Sequence, residues 1–318
     1  MTTMARSVPL WTFLAAPVVV IVGLLAVACD DGGGGDASPT SENGPPPAVT
    51  VVTTLPVFAD FVRQAGGDRV EVFAILPDGI TSDPLELAPE DLEHISQADL
   101  ILYNGLDLET TAEDILFEHK RRGSQVVAYA KDVASPTSEG MSAFEARDNP
   151  YLWLDPILVM TYVDVTWDSL VIVDGDATAT YQANGDHYKD ELRSLHEEIE
   201  DKVGSIPPES RKLVSVHDSF FHLASRYGLE SVRLPTPVST EEPSPRRVEE
   251  WADLIREQDV RAIFAEQGFT SELLSQAARR AEVEVCTLYS DSLDDEVTTY
   301  VEMMNFNAEE LVRCLGGD

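Results

Sequence analysis

Basic side chains are scarce. Lys and Arg number 22 against 57 Asp and Glu, giving a formal charge of −35 over 318 residues. A surface this acidic repels phosphate backbones and anionic lipid, which argues against nucleic acid or anionic membrane as a partner. It draws in cations only weakly at a distance, because salt screens such a field within about 10 Å. Solubility or a salty habitat explains the charge equally well. Histidine is also rare, with six in the chain and no cluster among them. His94, His119, His187, His196 and His222 fall in predicted helices and read as surface or helix residues. His217 directly follows a predicted strand. Cysteine is limited to Cys29, Cys286 and Cys314, and the last two lack the local spacing of a metal or redox motif. In an oxidising compartment they can pair or stay as two buried thiols, and the sequence leaves both open. There is no Gly-x-Ser-x-Gly elbow, no P-loop and no His-Glu-x-x-His. His217, Asp218 and Ser219 are the residue types of a hydrolase triad, but adjacent positions at a strand end point in different directions and cannot form the relay. These absences argue against an enzyme.

What is present begins at the N-terminus. Arg6 precedes an uncharged apolar run from Val8 to Ala28, which ends "LLAVAC" at Cys29. Residues 1–28 read as a signal sequence. The small residues before Cys29 resemble a bacterial lipoprotein cleavage site, with Cys29 as the lipidated first residue. An ordinary secreted form and a single transmembrane anchor are the alternatives. All three place the mature protein outside the cytoplasm. Residues 29–47, "DDGGGGDASPTSENGPPP" among them, cannot pack a core and read as a flexible tether.

Beyond the tether, strand and helix signals alternate. "AVTVVTTLPVFADFVRQAGG" gives a β-branched strand, a turn and an amphipathic helix. "RVEVFAILP", "ADLILYNG" and "QVVAYA" follow as strands, with Pro89 placed for the first turn of a short helix between the first two. "KLVSVHDSF", "LESVRLP", "VRAIFAEQ" and "VEVCTLY" repeat the pattern after residue 205. The alternation predicts an α/β fold with mainly parallel sheets flanked by helices. The length suits one large domain or two ordinary ones, each with its own core. Between the halves, Tyr181, Tyr188, Leu192, Leu195, Ile199 and Val203 form one helical stripe. Within a linking segment over 174–204, a helix from about Ala177 to Val203, capped by Asp174 or Asp176, would span roughly 40 Å. Gly185 is its weak point, at about 1 kcal/mol relative to alanine. The expected architecture is therefore two Rossmann-like lobes, 48–173 and 205–318, joined by one long rigid helix with a cleft between them. Ligands of open α/β sheets bind beyond the carboxyl ends of the strands.

Four loops follow apolar strands and carry polar groups. They hold Asp83 in "ILPDGITSDPLELAPED", Tyr151 and Asp155 in "NPYLWLDP", His217 in "VSVHDSF" and Asp291 in "LYSDSL". Asp155, just before Pro156, reads as a helix cap. Together with "LAPEDLEHISQADLILYNGLDLE", "VSTEEPSPRRVEEWADLI" and "IFAEQGF", and in this order, these segments resemble the extracellular solute-binding proteins of zinc and manganese ABC transporters. The resemblance covers nearly all of the mature chain. It implies two α/β lobes on a long helix, a divalent metal ion as transported ligand, and a membrane permease as partner. It further implies a monomer, held at the membrane by lipid on Cys29.

The family places one ligand on each of the four loops. The matching positions here are Asp83 and Tyr151, where the family usually has His, and His217 and Asp291, which fit its pattern. Asp83 is a competent oxygen donor. Tyr151 is a poor ligand while protonated, since a phenol titrates near pH 10, and reads more simply as an aromatic ring lining the cleft. Asp78, Glu86 and Glu266 can add a carboxylate. Imidazole suits zinc and carboxylate suits harder ions. The expected cargo is manganese ahead of zinc, held by Asp83, His217 and Asp291 with water. A chain of the same fold that has lost transition-metal binding and carries another small solute is the alternative, as is a surface adhesin.

Overall fold

The β-branched run Val49–Thr53 forms strand β1, and Pro56 at the first helical position opens α1 (Pro56–Gly66). The computed structural model describes residues 47–75, 87–133, 149–234, 244–268 and 272–316. The run Val8–Ala28, Cys29, nearly all of the tether, Asp78, Asp83 and Glu86 lie outside the described residues. After α1 come β2 (Val70–Ala74), α2 (Pro89–Gln97), β3 (Leu100–Tyr103), α3 (Thr110–His119), β4 (Gln125–Ala128) and the single turn α4 (Ala130–Val133). These strands make one parallel sheet in the order β2-β1-β3-β4.

Two long helices follow, α5 (Pro156–Val173) and α6 (Thr178–Gly204). The second half then runs β5 (Lys212–Ser215), α7 (Phe221–Arg226), β6 (Glu230–Arg233), α8 (Pro245–Glu257), β7 (Ala262–Glu266), α9 (Glu272–Ala281), β8 (Glu284–Leu288) and α10 (Tyr300–Leu315). Its sheet is also parallel, in the order β6-β5-β7-β8. The two sheets therefore share one topology, as the alternating pattern predicts.

The linking helix forms as expected, with Tyr181, Tyr188, Leu192, Leu195, Ile199 and Val203 all buried. Its start differs. Neither Asp174 nor Asp176 caps it; a 3₁₀ turn, Gly175–Ala177, leads in without a side-chain cap. Asp174 instead accepts from Arg69 (2.6 Å) and from the Tyr181 hydroxyl (2.7 Å). Gly185 faces α5, where an added Cβ would make ordinary contacts, 3.5 Å from Val163 and 3.9 Å from Trp167.

Among the described residues the apolar interior is organised in three clusters. Period-two alternation sends Leu100 and Leu102 of β3, Leu213 of β5 and Phe264 of β7 into one cluster with α1, α5, α6 and α10. That cluster draws on both halves of the chain, so the halves share a core. The opposite faces have their own. Val52, Ile101 and Tyr103 meet Ile95 and Leu116 on one side, and Val214 and Ile263 meet Trp251, Ile255, Leu273 and Leu274 on the other. α5 is long and apolar enough to cross a membrane, yet Leu158, Val159, Tyr162, Val163 and Leu170 are buried in the shared core. An aromatic knot closes it: the Phe58 ring lies 5.2 Å from Trp153 and 5.2 Å from Tyr129, and Phe61 lies 5.2 Å from Tyr300.

Candidate metal centre

Parallel strands deliver all their carboxyl ends to one edge. In the second sheet β5, β7 and β8 are successive neighbours, and the residues at or just beyond those ends are His217, Glu266 and Ser290-Asp291. Nδ1 of His217 lies 2.9 Å from Oε1 of Glu266. The other Glu266 oxygen accepts from the Ser290 hydroxyl at 2.7 Å, and that hydroxyl also lies 3.2 Å from Oδ1 of Asp291. Glu266, Ser290 and Asp291 are buried, while the His217 side chain keeps 30% exposure. Holding Nδ1–H on a carboxylate fixes the tautomer of the neutral ring and makes Nε2 the basic nitrogen.

The loop with Tyr151 joins this group through its backbone neighbours. Asn149 accepts from the Tyr151 N–H at 3.0 Å, and its own amide donates to the carbonyl of Asp218, next to His217, at 2.6 Å. The Trp153 indole donates to the carbonyl of Ser290, next to Asp291, at 2.6 Å. The Tyr151 ring packs 5.3 Å from that of Trp153. Asp155 caps α5 by accepting from Ile157 N at 2.9 Å, as expected, and it also pairs with Arg226 of α7 at 2.6 Å. Three of the four candidate loops, those of Tyr151, His217 and Asp291, are thus tied together by hydrogen bonds; the fourth, with Asp83, lies outside the described residues.

Other residues fall elsewhere. His222 is buried, not at the surface, with Nε2 3.2 Å from the Asn149 carbonyl. Glu284, Cys286 and Cys314 bring ligand atoms within 4.8 Å of one another, but the two cysteines form a disulfide, so no thiolate is offered there. Their pairing answers the question that the sequence leaves open. Ser290, Asn149 and Trp153 are contributors that sequence reasoning misses. Ser290 alone had a signal, its place between a strand end and Asp291.

Residues 51–314 match the family described as zinc-uptake complex component A, periplasmic. The chain belongs to the ZnuA family. It is similar to the manganese-binding lipoprotein MntA of Halalkalibacterium halodurans, 29% identical across 83% of this chain and 88% of that one. It is likewise similar to the zinc-binding protein TroA of Treponema pallidum, 31% identical across 83% and 88%. The solved structure of that periplasmic protein superposes with a TM-score of 0.74, covering 85% of this chain and 99% of the other. The two parallel sheets and the long helix are thus the fold of a ZnuA-family protein. Within it, the grouping of His217, Glu266, Ser290 and Asp291 is read directly from this chain's own geometry.

Proposed function

We propose that this protein captures a divalent metal ion outside the cytoplasm and delivers it to an ABC permease. The observation that carries the reading is the His217–Glu266–Ser290–Asp291 group at the carboxyl ends of three adjacent strands. His217 offers Nε2, with Glu266 behind it orienting the ring. Asp291 offers carboxylate oxygen, and Asp83 is the further oxygen donor that the family resemblance implies. An oxygen-rich set favours the harder ion, so manganese is the preferred cargo and zinc the second. The relatives named for manganese and for zinc support that pair of candidates. Lipid on Cys29 would hold the monomer at the membrane, where loading and handover occur.

Elemental analysis of the purified protein, followed by calorimetric titration with Mn2+ and Zn2+, tests this. The expected result is one ion per chain, with tight binding reduced at least about 100-fold by His217→Ala. Zinc held far more tightly than manganese would overturn the hard-ion preference. Binding of neither ion would overturn the metal reading in favour of a different small solute.

A further inference from the structure

Asp291 is only as well placed as the backbone that carries it, and that backbone runs past the end of its sheet. β8 is an edge strand, and its pairing with β7 finishes at Leu288 opposite Glu266. The Leu288 carbonyl faces inward, accepting from Gln267 N at 2.8 Å. Neighbouring residues of a strand direct their N–H and C=O to opposite sides, so those of Tyr289 face the open edge. Buried there without partners, they would each cost about 1–3 kcal/mol.

Asn307 of α10 fills that place. Its Oδ1 accepts from Tyr289 N at 2.8 Å and its Nδ2 donates to Tyr289 O at 2.8 Å. One fully buried amide thus stands in for a neighbouring strand. The next carbonyl, of Ser290, accepts from the Trp153 indole, and the Trp153 carbonyl accepts from the Tyr300 hydroxyl at 2.8 Å. Tyr300 is itself anchored, donating its N–H to Asp60 of α1 at 2.9 Å. The disulfide Cys286–Cys314 adds a third tie between β8 and α10. From Cys286 to Tyr289 the strand advances about 10 Å, and from Cys314 back to Asn307 the helix covers about the same distance. Strand and helix therefore run alongside each other in step, pinned at both places.

We propose that α10 is the positioning element of the ion site: Asn307 directly, and Tyr300 through Trp153, fix the backbone that presents Asp291. Neither residue touches the ion. This inference rests on the metal reading above and adds how that site is held to one geometry. A rigid carboxylate separates ions of different preferred coordination; a loosened one accommodates both.

The test uses the full chain with Asn307→Asp and Tyr300→Phe, and Ile95→Ala in the outer core beside β3 as a stability control. Mn2+ and Zn2+ affinities, the EPR spectrum of bound Mn2+ and the ion-free thermal midpoint are measured for each. Both α10 variants are expected to weaken Mn2+ about 10–100-fold, alter its spectrum and narrow the difference between the two ions. Ile95→Ala is expected to lower the midpoint and leave affinity and spectrum alone. Should Asn307→Asp fail to fold, Tyr300→Phe decides, since it removes a single oxygen. Wild-type affinity and spectrum in Tyr300→Phe, with only the midpoint lowered, would overturn the proposal. Absence of binding in the unmodified protein would instead remove the metal reading itself, and this inference with it.

Discussion

The two sheets have the same strand order but use their buried carboxylates differently. Beyond β3, Glu109 accepts from the Thr54 hydroxyl and Asn104 N, both at 2.8 Å, and from Gly105 N at 3.0 Å. It locks a turn in which Gly105, Leu106 and Asp107 all have positive φ, at 82°, 53° and 61°. Such angles disfavour side chains with a Cβ, so the turn needs an outside brace. Beyond β7, Glu266 accepts from a histidine and from a serine hydroxyl. One carboxylate takes two backbone N–H groups beside a threonine hydroxyl and holds a shape. The other is partnered by side chains and orients a prospective ligand. Equal burial does not imply equal purpose; the donors decide it.

The largest expected effect concerns the brace that the second half has. Replacing both Cys286 and Cys314 by Ser opens a loop with a sequence separation of 28, which a chain-entropy argument values at about 3.5 kcal/mol. Urea unfolding should show that loss, with Mn2+ affinity falling as well because β8 leads to Asp291. Next comes a matched pair. Glu109→Gln is expected to lower stability by about 1–3 kcal/mol with ion affinity unchanged, while Glu266→Gln should weaken Mn2+ about 10–100-fold with little change in unfolding. If both variants behave alike, the contrast between the halves is lost.

The smallest effect is a slope. Burial pushes the carboxyls of Asp60 and Glu109 above their ordinary values of 3.8 and 4.5, against the hydrogen bonds that each accepts. A raised carboxyl contributes stability that is complete below its unfolded pKa and is lost as the pH climbs through its folded one. Unfolding free energy should therefore decline with rising pH above the usual carboxylate range, and Glu109→Gln should flatten that decline in urea titrations carried upward from that range.

Much of this was legible in advance. Tyr181 through Val203 declared the long helix because a stripe of that period has one use. His217 and Asp291 stood at strand ends, where parallel topology gathers residues, and Glu266 was visible as a spare carboxylate. Other features were not legible. Asp174 looked like a cap because local sequence cannot show that Arg69 and Tyr181 compete for it. His222 looked like an ordinary helix residue, yet its partner is a carbonyl 73 positions away. Asn307 and Tyr300 were silent for the same reason. Each serves a backbone atom, and backbone atoms are identical at every position, so no residue pattern marks which of them will meet.

The placement of Asn307 and Tyr300 also sets an order of assembly. They follow every strand that bears a candidate ligand, so a chain emerging N-terminus first presents His217, Glu266 and Asp291 before the helix that aligns them exists. On the function proposed above, competence to bind an ion then arrives late, after residue 307 has joined the folding chain. A chain interrupted before that point would carry the donors but not their alignment.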